Sequence, residues 1–190
     1  MLDKPSNYRI LGIDPGSIKL GYALIGVTGK KYQVIESGAY IQNQKVPFFK
    51  RLAGIKKFTD EFIKKHGSTF EVSVESLIHV KNVASLSKLS QARGVILGAL
   101  AASDCHICEY SPNLIKSSVS GYGHASKESI EKALKFMFPK HEFASDDESD
   151  ALAVAICHSL YRGEKSLKKS ELSSKKGKSS LKSSLSHLLK

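Results

Sequence analysis

The chain of 190 residues carries 29 Lys and Arg against 18 Asp and Glu, a net charge of +11, with 41% apolar residues. That is enough for one globular core plus an appendage, and the basic excess directs attention to a polyanionic partner, nucleic acid before an anionic surface. "MLDKPSNYR" lacks an apolar signal core and the longest apolar or glycine run, Gly94 to Ala102, is far too short to cross a bilayer; no membrane partner and a cytoplasmic, reducing location are expected.

In chain order, residues 8 to 13, "LGYALIGV" (20 to 27) and "YQVIESGAYI" (32 to 41), separated by Gly-containing breaks, predict three strands in a meander. Pro47 suits a first helical position, and Phe48, Leu52, Ile55, Phe58 and Phe62 then recur on one helical face. "FEVSVES" alternates as a fourth strand with Glu75 near its tip, and Leu86, Leu89, Ala92, Ile96 and Leu100 mark a second helix. "HICEY" (106 to 110) predicts a fifth strand, with room for a short helix near 113 to 119. Ser126 can cap a helix turning Ile130, Leu134 and Met137 inward, and a last helix runs from "SDDESD" to Gly163. The order is βββαβαβα, an α/β fold over residues 1–163. Residues 164–190 hold eight Lys, two Glu and nine Ser, and read as a basic tail too polar to bury a core.

Three acidic groups stand at the ends of these elements: Asp14 after strand one, Glu75 after strand four, and Asp146, Asp147, Glu148 and Asp150 opening the last helix. Asp147 and Asp150, three apart, project from nearly one helical face. If strands one and four are neighbours, the carboxylates meet, and like charges so gathered call for a cation. A pair of Mg²⁺ ions fits, because hard cations take oxygen ligands and two together can drive phosphodiester hydrolysis. Each feature alone also has an ordinary structural role: first-turn acids stabilise a helix dipole, and Asp-Pro-Gly is a common turn.

The residues also resemble a family. "ILGIDPGSIKLGYALI", "VESLIHVKNVASLSKLSQARG", "EYSPNLIKSSVSGYGHASKESI" and "DDESDALAVAICH" are colinear with the motifs of the RuvC Holliday junction resolvases over roughly residues 8 to 162. The resemblance implies a ribonuclease H-like fold with a five-stranded mixed sheet flanked by helices. It places the catalytic, metal-holding carboxylates at Asp14, Glu75, Asp147 and Asp150, with Asp146 a rival to Asp147, and phosphate-binding lysines at Lys116 and Lys127. It further implies two Mg²⁺ per active site, replaceable by Mn²⁺, a homodimer on four-way junction DNA, paired symmetric nicks serving recombination and repair, and cooperation with the branch-migration proteins RuvA and RuvB. Where many members carry a Phe soon after the catalytic Glu, this chain has Ile78, which can wedge into a junction but not stack on a base.

Other signals are weaker. Cys105 and Cys108 form a lone C-x-x-C and are expected on opposite faces of a strand, and His158, two turns past Asp150, is expected on the helix surface. Actin-like kinases share the "GIDPG" opening but need about twice this length, so ATP binding is expected to be absent. A DNA-binding protein with a dead nuclease fold is the other alternative, opposed by the presence of all four carboxylates.

Overall fold

A computed structural model describes residues 7–77 and 82–162. Three strands, β1 (Asn7–Asp14), β2 (Lys19–Thr28) and β3 (Lys31–Ile41), precede helix α1 (Phe48–His66). Then come β4 (Glu71–Glu75), α2 (Val83–Ala101), β5 (Ile107–Tyr110), α3 (Pro112–Ser120), α4 (Lys127–Met137) and α5 (Asp146–Tyr161). The expected short helix is α3, begun by Pro112 under a Ser111 cap and ended by Gly121 at φ 79°. Ile78 and residues 164–190, on which the wedge and tail expectations fall, lie outside the described residues.

The sheet order is β3-β2-β1-β4-β5, antiparallel through the meander and parallel from β1 to β4 to β5. Both faces are covered, so strand parity decides which core a residue joins. Leu11, Ile13, Leu20 and Leu24 pack with Ile55, Phe62, Ile96 and Leu100 of α1 and α2. Ile10, Ala23, Ile25 and Val27 pack on the other side with Ile115, Ile130, Leu134 and the apolar run of α5.

Three expectations change. Pro47 is the residue before α1 rather than its first member, with φ −52° and ψ 141°; an extended ψ ends the strand-to-helix connection there. Cys105 precedes β5 and is buried near the Ser68 carbonyl, so the two cysteines do not share a strand. His158 is 1% exposed, because α5 is the central helix and is buried from Ala151 to His158 on every side. Tyr110 Oη lies 2.7 Å from His158 Nδ1, and His158 Nε2 lies 2.7 Å from Glu71 Oε2. A carboxylate only accepts, so Nε2 carries the proton and Tyr110 donates to Nδ1. Burial holds the imidazole below its usual pKa. Arg162 closes the cluster, donating to Glu71 Oε1 at 2.7 Å and lying 4.0 Å over the Tyr8 ring.

Candidate active site

Register brings the first two carboxylates together. β1 and β4 run parallel with Ile13 opposite Val74, so the next residues on each strand, Asp14 and Glu75, stand side by side at the carboxyl edge of the sheet. Parity turns both toward α5, the same way as Gly12 and Gly21, which is opposite Asp14 on β2.

Those glycines seat the helix. A Cβ on Gly21 would lie 1.9 Å from the Asp147 carbonyl oxygen, and one on Gly12 would lie 2.0 Å from that of Ala151. Only hydrogen at these two positions lets α5 approach the sheet so closely. Ser145 caps the helix, its Oγ accepting from the Glu148 N–H at 3.3 Å, and the acidic turn thus begins directly beside the end of β1.

Asp14, Glu75 and Asp150 line one cleft of about 240 Å³ together with Lys116 of α3, Lys127 of α4, Pro112, Ile115 and Ile130. Asp147 sits beside it, 3.7 Å from Lys19. Asp146 is turned outward, 2.9 Å from Lys127, whose ammonium is also 3.6 Å from Asp150. Five of the six residues singled out in the described sequence therefore share one cavity, and the sixth, Asp147, is its electrostatic neighbour.

The cleft opposes ionisation of its acids. Burial, then the nearby Asp150, Asp147 and Glu75 carboxylates, push Asp14 from 3.8 to about 7, against the pull of Lys127. Burial likewise raises Glu75, with Asp150 adding to it and Lys116 and Arg93 opposing, and raises Asp150 against the pull of Lys127. A donor set of carboxylate oxygens, each disfavoured as an anion until a cation arrives, fits a hard divalent ion. Among the described residues no three carboxylate, imidazole or thiol groups are gathered closely enough to share one ion.

Two further contributors are not among the expected site residues, although one of them lies in a quoted motif. Arg93, the Arg of "QARG", is 6% exposed and donates to the Glu75 carbonyl at 2.5 Å while pairing with Glu109 at 2.8 Å, so it anchors the end of β4. Lys19 reaches Asp147 from β2; nothing in its local sequence marks it.

Residues 10–158 match the family model described as crossover junction endodeoxyribonuclease RuvC. The chain is 37% identical over 154 residues to the crossover junction endodeoxyribonuclease RuvC of Bartonella tribocorum, covering 81% of this chain and 90% of that protein. It is 36% identical over 155 residues to the protein of the same description in Rhizobium etli, covering 82% and 91%. Among solved structures it is similar to the T. thermophilus RuvC in complex with Holliday junction substrate, with a TM-score of 0.75 at 25% identity, covering 81% of this chain and 94% of that one. The yeast mitochondrial Holliday junction resolvase, at 11% identity and a TM-score of 0.54 over 79% and 77% of the two chains, shares the fold. The ribonuclease H-like architecture expected from the sequence is thus the one observed. Among the described residues no helix is long and apolar enough to cross a membrane.

Proposed function

The chain belongs to the RuvC family of crossover junction endodeoxyribonucleases, and from that premise we propose that Asp14, Glu75, Asp147 and Asp150 are the carboxylates with which it cuts. It is an endonuclease that resolves four-way DNA junctions in recombination and repair, and its family is one of divalent-metal nucleases. What supports the residue assignment is one observation: Asp14, Glu75 and Asp150 come from elements remote in sequence and line a single cleft with Lys116 and Lys127.

In this reading the ions are two Mg²⁺, with Mn²⁺ able to replace them. Bound there, they supply Lewis acidity toward the phosphodiester and the attacking water. Asp14, held between Glu75 and the acidic turn of α5, would be among the residues that hold them. The chain's part is to draw Asp14, Glu75, Asp147 and Asp150 inward and to turn Lys127 from Asp150 toward the scissile phosphate. Lys116, on the other wall, offsets the charge that builds on the phosphate oxygens. The half-buried position of Asp147 beside Asp14, against the outward turn of the more exposed Asp146, favours Asp147 as the ligand. The groove between α1 and α2, along which a Cβ at Gly94 or Gly98 would meet nothing, supports a homodimer whose two clefts cut opposed strands. RuvA and RuvB are the partners that would deliver the junction.

The test is a labelled synthetic four-way junction in Mg²⁺ beside a matched linear duplex. Paired symmetric nicks in the junction alone, lost in Asp14→Asn while junction binding persists, are the expected result. An Asp14→Asn enzyme that cuts like the parent would remove Asp14 from the mechanism, and binding without cutting in any divalent ion would leave a junction-binding protein with an inactive cleft.

A further inference from the structure

Glu148 lies between Asp147 and Asp150 in the first turn of α5, yet it is 2% exposed and takes no part in lining the cleft. Its Oε1 accepts from Ser37 Oγ at 2.6 Å and from His141 Nε2 at 2.9 Å. Its Oε2 accepts from the Ala144 N–H at 2.8 Å. Ser145 accepts from the Glu148 N–H and Glu148 Oε2 accepts from the Ala144 N–H just before the cap, a reciprocal arrangement that leaves Oε1 and its two side-chain donors beyond what the helix end requires. An apolar side chain would be cheaper to bury, since a carboxylate must first lose its hydration.

What a carboxylate adds is direction. Ser37 belongs to β3, two strands from Asp14, and its parity faces α5 because it pairs with Ala23. His141 and Ala144 belong to the connection between α4 and α5, and the His141 ring is steadied edge-on by Phe143 at 4.9 Å. Glu148 therefore ties the acidic turn to the sheet and to the preceding loop at once. Gly21, under the Asp147 carbonyl, fixes the height of that turn above β2; the tether fixes its rotation. Rotation matters because successive helical residues differ in direction by about 100°, so a modest turn of α5 carries Asp147 and Asp150 away from Asp14 together.

We propose that Glu148, Ser37 and His141 are positioning residues that set the rotation of the acidic turn, aiming Asp147 and Asp150 at Asp14 and so governing divalent-ion binding in the cleft. The inference rests on the reading of Asp147 and Asp150 as metal-holding carboxylates. Glu148 itself is a poor first target because its truncation leaves a buried void among unpaired donors. Ser37→Ala and His141→Ala each remove one donor and leave Ser145 and the glycine seats intact.

The experiment uses the full chain and measures three things: Mn²⁺ binding by calorimetry, kcat and KM on a four-way junction, and the thermal midpoint. Ser37→Ala and His141→Ala are expected to weaken Mn²⁺ binding and to lower kcat by about 10- to 100-fold. KM for the junction should stay within about two-fold of the parent, since DNA contacts are not touched. His141→Gln, whose amide can donate to the same Oε1, should regain most of both losses. Parent-like Mn²⁺ affinity and kcat in both alanine variants, or losses that merely track the unfolded fraction, would overturn the inference. Asp150→Asn, run alongside, separates the two levels. If it loses Mn²⁺ binding while the tether variants keep it, the positioning role alone is wrong; if it too binds and cuts like the parent, the carboxylate reading falls and takes the tether with it.

Discussion

The Asp14 carboxyl keeps its proton up to about 7 because it is buried and faces three other acids, and this has a thermodynamic consequence. A group whose folded pKa exceeds its unfolded value of 3.8 binds its proton more tightly when folded. Its contribution therefore favours the fold at low pH and is lost as pH climbs from the unfolded to the folded value. In the absence of divalent ions, Asp14→Asn should match the parent's stability near pH 4 and exceed it progressively toward pH 8, by on the order of 4 kcal/mol at the plateau. Added Mg²⁺ should reverse the order, because the asparagine gives the ion no charge to hold. Denaturant titrations of both proteins across this pH range, with and without Mg²⁺, check it; a difference independent of pH would mean that Asp14 is not the electrostatic centre of the cleft. At this scale the sequence is informative about acids and mute about their supports. A carboxylate at the end of an apolar strand announces itself by the penalty it carries. Arg93 is marked only as part of the "QARG" motif and not by any role, and Lys19 looks like any other basic residue, until β4 and β2 are folded beside them.

Helix α5 is the element on which the site depends, and its closeness to the sheet depends on two missing side chains. The Cβ of Gly21→Ala must displace the Asp147 carbonyl, which is backbone and cannot turn aside. The variant should lose about 1 to 3 kcal/mol of stability through overpacking and at least about ten-fold in junction cutting, since α5 shifts by the same movement that relieves the clash. Gly26→Ala, also in β2, is the contrast: its Cβ makes only ordinary contact with Ile35 at 3.5 Å, and alanine in a strand interior should add about 0.5 to 1 kcal/mol. Thermal unfolding and cleavage rates on the pair would separate a seat for the helix from a general intolerance of alanine. Periodicity revealed α1 because one face of it is buried, as Ile55 and Phe62 show. It failed for His158 because α5 is enclosed all round, so no position on it distinguishes surface from core. In α2 the pattern overreached: Leu86 and Leu89 have the spacing of a buried face but stay half-exposed, and full burial begins only at Ala92.

The charge of the whole molecule divides unevenly. Residues 164–190 contribute eight Lys against two Glu, or +6 of the total of +11, leaving +5 on the first 163 residues. The described elements and the cleft lie within residues 7–162, and the family match ends at residue 158. Chemistry and electrostatic attraction should therefore separate. A chain ending at Arg162 should cut a saturating junction at close to the parent's rate, because every group proposed to act on the phosphate remains. Its junction affinity should fall at low salt, and the slope of log affinity against log salt should become shallower by about 0.7 to 0.9 for each phosphate contact that the tail's lysines make. Binding isotherms at several salt concentrations, together with single-turnover cleavage, test both halves. An unchanged slope would show that the tail's lysines do not meet DNA, and the source of the basic excess would then have to be sought on the nuclease domain, where Lys116 and Lys127 already flank the cleft.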